Sequence, residues 1–275
     1  MKRKWGVVLA AILCAAVLAG CGGVSKAPAG GGSGDGASSL PAQVQKIKDA
    51  GVLRVGVKED VPKFGYLDPA KNVHEGMEID LAKRIAKEIF GDESKVQFTG
   101  VNAKTRGPAL DNGEIDMVIA TFTITEERKK SWNFSDPYFT DNVGFLVLAD
   151  SGITSWKDLD GKTIGVAQSA STRAALTEQA EKDGITVNFM EFATYPEIKA
   201  ALDSGRIDAF SVDQSILWGY KDDKNVMLPD KFAPQDYGIA TKKSNTELAE
   251  FVNNIVKEMK ASGEMDQLYE KWGLK

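Results

Sequence analysis

Thiols and imidazoles are scarce in this chain of 275 residues, which has two cysteines and one histidine. Cys14 and Cys21 both lie in the first 21 residues, so the rest of the chain has no disulfide and no thiol for a metal or a nucleophile. His74 alone cannot support histidine-based catalysis or a His/Cys zinc site. We therefore expect no metal, no cofactor and a fold held together by its core.

Clusters of positive charge are also missing, and the formal net charge is −5. A protein that binds nucleic acid usually concentrates lysine and arginine on one face, and nothing of that kind occurs here. We expect no nucleic-acid partner. Any cationic site in this acidic chain is then a local feature.

The N-terminus has the layout of a secretory signal. Lys2, Arg3 and Lys4 precede an apolar run from Trp5 to Gly20, which is too short to favour a membrane span of about 20 residues. The run ends at Leu18-Ala19-Gly20-Cys21, which resembles the bacterial lipobox and implies cleavage after residue 20 and lipidation of Cys21. The alternative is a plain signal peptide with a chance cysteine. Residues 21–39, rich in Gly, Ser, Ala and Pro, predict a flexible tether.

From Leu40 onward, strand-like and helix-like segments alternate. Leu53–Val57, Val96–Val101 and Ile115–Ala120 are predicted strands, and Ile79–Phe90 has the apolar spacing of a helix followed by Gly91. Alternation of this kind predicts an α/β fold with a mainly parallel sheet and covering helices.

The same pattern then recurs. Lys162–Val166 matches the first strand and Thr186–Phe192 the second, while the heptapeptide at 202–208 (LDSGRID) aligns with that at 110–116 (LDNGEID). We interpret the matches as two related lobes. Lobe 1 is predicted at 40–141 plus 238–275 and lobe 2 at 142–237, with a two-strand hinge where the chain crosses near 140–142 and 237–238.

Ligands bind beyond the carboxyl ends of parallel strands, so the residues that follow each strand are the candidates. Lobe 1 offers cations and hydroxyls there, and lobe 2 offers hydroxyls, a phenol and an acid. These candidates are Lys58, Arg106, Thr121 and Thr123 in lobe 1, and Ser171, Thr172, Tyr195 and Asp213 in lobe 2.

Two segments identify a family resemblance. Ile119–Arg128 (IATFTITEER) and Phe134–Tyr138 (FSDPY) resemble the signature of the polar amino acid family of bacterial extracellular solute-binding proteins, family 3. The similarity extends from about Gln43 to the end of the chain and implies a periplasmic-binding-protein-like fold. Asn102–Pro108 (NAKTRGP) and Ser211-Val212-Asp213 most resemble binders of aspartate and glutamate.

The resemblance implies a role for each candidate. Arg128 would bind the ligand α-carboxylate, Thr121 and Thr123 would surround the amino acid head, and Asp213 would receive the α-ammonium. Ser171 and Thr172 would offer donors at a helix start. The family usually shows glycine and threonine near Ser169 and Ala170, so a hydroxyl contact at position 170 is lost here.

Charge counting predicts the ligand side chain. Arg128 and Asp213 balance a zwitterionic head, which leaves Lys58 and Arg106 without an acid at matching positions. Because a buried unpaired charge is costly, we expect a side-chain carboxylate, that of glutamate or aspartate, with Tyr195 adding a phenolic hydrogen bond. Another polar amino acid such as glutamine is the alternative.

These residues predict capture without a chemical step and transfer to a membrane permease of an ABC importer. The chain has no phosphate-binding loop of Walker type, so ATP hydrolysis would belong to a separate subunit. We expect a monomer anchored by lipid to the outer face of the cell membrane, or in the periplasm of an organism with two membranes. The rival hypotheses are a cleft enzyme of the cyclohexadienyl dehydratase type, and an adhesin or receptor subunit.

Overall fold

A computed structural model describes residues 40–274 of the protein. The predicted signal peptide, the tether and Cys21 lie outside the described residues. No helix within 40–274 is both long and apolar enough to cross a membrane.

Helices and short strands alternate through the described chain. The helices are α1 (Ala42–Ala50), α2 (Met77–Phe90), α3 (Arg106–Asp111), α4 (Glu126–Ser131), α5 (Thr172–Asp183), α6 (Tyr195–Asp203), α7 (Gln214–Tyr220), α8 (Thr246–Ser262) and α9 (Glu264–Trp272), with a 3-10 turn at Trp156–Leu159. The strands are β1 (Leu53–Val57), β2 (Asp60–Val61), β3 (Gly65–Asp68), β4 (Val73–Glu75), β5 (Val96–Gly100), β6 (Met117–Ile119), β7 (Trp132–Phe134), β8 (Phe139–Leu148), β9 (Thr163–Ala167), β10 (Asn188–Phe192), β11 (Ala209–Asp213), β12 (Asn225–Met227), β13 (Phe232–Tyr237) and β14 (Ala240–Lys242).

Two larger sheets form the centres of two lobes, which confirms the predicted fold class. The first sheet has the order β5-β1-β6-β14-β7, and the second has the order β10-β9-β11-β8-β12, with β13 also paired with β8. In each, the first three strands are parallel, as predicted. The remaining strands are antiparallel to their neighbours, so the sheets are mixed.

The repeated heptapeptide forms the same contacts in both lobes. The carboxylate of Asp116 accepts a hydrogen bond from the Arg54 amide at the start of β1, over 2.9 Å, and Asp208 accepts one from the Thr163 amide at the start of β9, over 2.8 Å. In each lobe, the aspartate that ends the heptapeptide, just before the third strand, therefore bonds to the start of the first strand.

A glycine in the first strand of each lobe makes room for the isoleucine of the heptapeptide. A β-carbon added at Gly56 would lie 2.5 Å from Ile115 Cδ1, and one added at Gly165 would lie 2.4 Å from Ile207 Cδ1. Equivalent packing at equivalent positions supports the interpretation of two related lobes.

The chain passes between the two sheets along a pair of antiparallel strands. β8 and β13 pair in register from Phe139 with Tyr237 to Asn142 with Pro234, and a bulge between Phe232 and Pro234 shifts the last pair, Val143 with Phe232. The crossings predicted near 140–142 and 237–238 fall on this ladder or directly beside it. Beyond it, β14 returns to the first sheet, and α8 packs on α1, β7 and β14.

Candidate functional site: the strand ends between the two lobes

Arg128 is held by main-chain carbonyls of both lobes. It lies in the first turn of α4, whose N-cap, Thr125, accepts a hydrogen bond from the Arg128 amide through its hydroxyl. Nη1 donates to the Thr123 carbonyl over 2.8 Å, and Nη2 donates to the Ser169 carbonyl over 3.1 Å. Burial lowers the pKa of Arg128 to about 9. These bonds orient a guanidinium whose planar fork matches a carboxylate.

Arg106, the first residue of α3, is almost completely buried. Its Nη1 donates to the carbonyls of Ala120 and Thr121 over 2.7 and 3.2 Å, and its guanidinium lies 3.8 Å from the centre of the Phe122 ring. Burial lowers its pKa. The Nε atom is buried without a hydrogen-bond partner, and no ion pair within residues 40–274 includes this side chain.

Lys58 follows β1 and is 2 % exposed. Its Nζ lies 3.0 Å from Oδ1 of Asp60 and 4.4 Å from the centre of the Tyr195 ring, which belongs to the other lobe. Burial lowers the pKa of Lys58. The charge count treated Lys58 as unpaired because no acid lies at the matching position, and this is wrong, since Asp60 pairs with it from two residues further along the chain.

Tyr195 begins α6 and is also buried. The structure places its ring under the Lys58 ammonium, where a cation and an aromatic face attract each other. The phenolic hydrogen bond to a ligand stays a prediction.

Thr121, two residues after β6, has left-handed backbone geometry, with φ of 43°. Residues other than glycine rarely adopt this conformation, and such strain concentrates at functional sites. Its amide donates to Oε1 of Glu78 over 2.6 Å, while its hydroxyl is buried without a partner. Ser169 is similarly left-handed, with φ of 61°, and its carbonyl is the one that contacts Arg128.

Glu78 is a site residue that the sequence analysis missed. It lies in the first turn of α2 and is fully buried. Oε1 accepts hydrogen bonds from the Thr121 amide and the Tyr138 hydroxyl, and Oε2 has no partner. Burial raises the pKa of Glu78 to about 7. It lies 43 residues from Thr121 in sequence, so no local pattern indicated the contact.

Asp213 ends β11 and is 5 % exposed. Its carboxylate accepts a hydrogen bond from the Tyr237 hydroxyl. Burial and the nearby negative charge of Asp141 raise the pKa of Asp213 to about 7, against the lowering effect of the Tyr237 hydrogen bond. A cation beside this carboxylate would stabilise its ionised form.

Hydroxyl groups from both lobes meet at the start of α5. The Ser171 hydroxyl donates to Oε1 of Gln235 over 2.7 Å and lies 3.3 Å from the hydroxyl of Thr123. Thr172, the first residue of α5, is buried beside it. The structure thus brings Thr123, Ser171 and Thr172 together, and adds Gln235.

The lobes also touch at a second place, here called the latch, where β2 and the residues after it meet α7. The Tyr220 hydroxyl donates to the Asp60 carbonyl. A β-carbon added at Gly219 would lie 3.1 Å from Pro62 Cδ, so the backbone at Gly219 packs closely against the proline ring. The lobes are therefore in contact in this structure.

The charged side chains of the site are buried, although charged side chains usually lie at the protein surface. Arg106, Lys58, Glu78 and Asp213 are all buried, and each has a pKa shifted by that burial. Shifted groups in a cleft indicate a functional site. Across residues 40–274, no group of three His, Cys, Asp or Glu side chains is arranged to hold a metal.

Two proteins named as amino acid-binding proteins are similar to this chain in sequence. The chain is 40% identical over 275 residues to the ABC transporter glutamine-binding protein GlnH of Bacillus subtilis, covering 99% of this chain and 97% of GlnH. It is 32% identical over 232 residues to the glutamate-binding protein GluB of Corynebacterium glutamicum, covering 79% of this chain and 77% of GluB.

A solved structure is similar as well. The solute receptor for L-cysteine of Neisseria gonorrhoeae superposes with a TM-score of 0.77 at 30% identity, covering 84% of this chain and 93% of the receptor. The family model of the bacterial extracellular solute-binding proteins, family 3, matches residues 53–275. The chain therefore belongs to the bacterial extracellular solute-binding proteins, family 3.

Proposed function

We propose that this protein captures one acidic amino acid, glutamate or aspartate, between its lobes and delivers it to the permease of an ABC importer. Support for an amino acid comes from the relatives, which are named as binding proteins for glutamine and for glutamate. Glutamine and glutamate share the α-carboxylate and the α-ammonium, and the site offers a cation, Arg128, and an anion, Asp213, for these two groups.

The head group would lie between Arg128 and Asp213. Arg128 donates to its α-carboxylate, and Asp213 accepts from its α-ammonium. The unpartnered hydroxyl of Thr121 and the hydroxyls of Thr123, Ser171 and Thr172 surround it. Because these groups come from both lobes, a bound ligand favours the closed form, with β8 and β13 as the hinge.

The buried guanidinium of Arg106 is the observation that carries the acidic specificity. Lys58 is balanced by Asp60, but Arg106 donates only to neutral carbonyls and keeps an unpartnered Nε. A buried cation without an ion pair is costly, and a ligand carboxylate would relieve that cost. The proposed acidic specificity thus rests on Arg106 alone, whereas the charge count from the sequence used both Lys58 and Arg106.

Glutamine is the second candidate. Its side-chain carbonyl can accept from Arg106 as a carboxylate does, and its amide N–H groups need an acceptor. Oε2 of Glu78 is a buried acceptor without a partner. The 40% identity to a protein named glutamine-binding also favours this ligand.

Calorimetric titration distinguishes the candidates. The purified protein is unfolded and refolded to remove carried-over ligand and is then titrated with glutamate, aspartate, glutamine, arginine and cystine. Tight binding of the acids alone, lost in Arg106→Ala, supports the proposal. A preference for glutamine would overturn the proposed acidic specificity, but the proposed binding of an amino acid would stand. Absence of binding, with turnover of a prephenate-like substrate, would favour the enzyme.

Members of this family are extracytoplasmic, and we propose that Cys21 anchors this one by lipid. The supporting observation is the stretch Leu18-Ala19-Gly20-Cys21 after an apolar run. In cells grown with a labelled fatty acid, the protein should carry the label, and Cys21→Ser should release it unlabelled. Cys14→Ser is the matched control and should leave the label in place.

A further inference from the structure

One peptide group joins Glu78 to Arg106. The Ala120 carbonyl accepts from Arg106 Nη1 over 2.7 Å, and the Thr121 amide of the same peptide group donates to Glu78 Oε1 over 2.6 Å. The carbonyl and the N–H of a trans peptide point in opposite directions. The guanidinium and the carboxylate are therefore held at opposite ends of one polarised group, in a fixed relation.

Glu78 interacts with Lys58 and Arg106, the two cations predicted to lie near the side chain of the ligand. The titratable groups that interact with it electrostatically include Lys58, Arg106, Tyr138 and Tyr195. Both cations favour its ionised form, while its complete burial opposes ionisation and raises its pKa to about 7. No oxygen of Glu78 is within ion-pair distance of a cation in the described chain, so its charge acts through space and through the peptide group.

We propose that Glu78 is a specificity-determining residue that selects between ligands with a charged side chain and ligands with a neutral one. The inference rests on the proposed function, namely an amino acid whose side chain meets Arg106. Ionised Glu78 offsets the charge of Arg106 and leaves Oε2 as an acceptor, which favours a neutral carboxamide. Neutral Glu78 leaves Arg106 uncompensated, which favours a carboxylate. Specificity is a difference between two affinities, and Glu78 acts on that difference.

The dependence on pH separates Glu78 from Asp213. Asp213 also titrates near pH 7, but it would contact the ammonium that glutamate and glutamine share. Its effect therefore cancels in the ratio of the two dissociation constants. We expect the preference for glutamate over glutamine to fall as pH rises from 5.5 to 8, because Glu78 becomes ionised over that range.

The test measures the dissociation constants of glutamate and glutamine at pH 5.5 and pH 8 in the full-length protein without its signal peptide. Glu78→Gln keeps an oxygen that accepts from Thr121 and Tyr138 and removes the charge. At pH 8 it should shift preference toward glutamate by about tenfold or more, and its ratio should not change with pH. Glu75→Gln, at a partly exposed acid three residues earlier, should leave the ratio as in the wild type.

Tyr138→Phe is a second variant in case Glu78→Gln does not fold. It removes a hydrogen bond that lowers the pKa of Glu78, so the change in preference should move to higher pH. A ratio that is independent of pH in the wild type would overturn the inference. If the ratio still changed with pH in Glu78→Gln, the effect would be assigned to Lys58, and the inference would be overturned too. Failure of the wild type to bind any amino acid would instead contradict the proposed function.

Discussion

Arg128 of lobe 1 donates a hydrogen bond from Nη2 to the main-chain carbonyl of Ser169 in lobe 2, over 3.1 Å. The residue proposed to bind the ligand α-carboxylate thus also joins the lobes directly. Ser169 presents that carbonyl from a left-handed conformation at the end of β9. Ligand binding and lobe closure share this side chain, and changes at Arg128 should affect both.

Replacing Arg128 should weaken binding of every amino acid strongly, whatever its side chain. We expect Arg128→Ala to weaken binding by about a hundredfold or more, because a buried carboxylate would lose its charged partner. Arg128→Lys should recover little, since an ammonium cannot form the same planar pair of bonds.

Titration calorimetry measures this loss, and circular dichroism checks the fold. Lys129→Ala is the matched control, since Lys129 is half-exposed on the same helix and pairs with Glu126 at 2.7 Å. A selective loss of one amino acid in Arg128→Ala would show that Arg128 contacts the side chain of the ligand.

The unliganded protein should lose stability as pH rises from 5 to 8. The pKa of Asp213 is raised to about 7 in the folded protein, above the value of about 4 expected when unfolded. The unfolded state therefore binds fewer protons between these values, and the free energy of unfolding falls as pH rises through that window. The contribution is on the order of 2 kcal/mol.

Urea unfolding of the wild type and Asp213→Asn at pH 5 and pH 8 measures this contribution. The difference in slope between the two proteins isolates Asp213 from the other carboxylates. Equal slopes would mean that Asp213 is already ionised at pH 5 in the folded protein.

Weakening the latch should lower affinity for all ligands by the same factor. Tyr220→Phe removes the hydrogen bond to the Asp60 carbonyl, and one such bond contributes about 0.5–1.5 kcal/mol. We expect a twofold to tenfold loss of affinity, seen chiefly as faster dissociation in stopped-flow measurements. Trp218→Phe, at an exposed position of the same helix, is the control. Unequal losses between ligands would show that Tyr220 acts on the ligand and not on closure.

Adding a methyl group at Gly56 should destabilise lobe 1. The new carbon would meet Ile115 Cδ1 at 2.5 Å, and overpacking of this kind costs about 1–3 kcal/mol. Ile115→Val removes that methyl group, so the double variant should be more stable than the sum of the single changes predicts. Thermal unfolding of the four proteins measures the coupling. Strict additivity would contradict the contact.

The sequence was most informative where local pattern determines structure. The predicted strands agree with β1, β5, β9 and β10 to within about two residues, since β1 and β9 are short, mainly apolar runs and β5 and β10 mix apolar and polar residues over a strand's length. The helix predicted at Ile79–Phe90 begins two residues earlier in the structure, at Met77. The small sheet of β2, β3 and β4 was missed because its strands are too short to show an alternation.

Contacts between distant residues could not be predicted from local pattern. Strand-end reasoning did bring Lys58, Arg106, Thr121 and Asp213 to one region. It missed the acids Asp60 and Glu78, because it considered only residues directly after strands. Asp60 lies within β2 and Glu78 within α2, and only the packing of those elements shows that both act on the cations.

The latch has an evolutionary consequence. Tyr220, Gly219 and Pro62 join the lobes, whereas the residues proposed to meet the ligand follow other strands and helices. Mutations at the latch and mutations at Arg106 or Glu78 therefore fall on different codons, whereas Arg128 serves both binding and closure. A lineage with this architecture can exchange one nutrient for another by a few substitutions at the strand ends while it inherits the same closing motion.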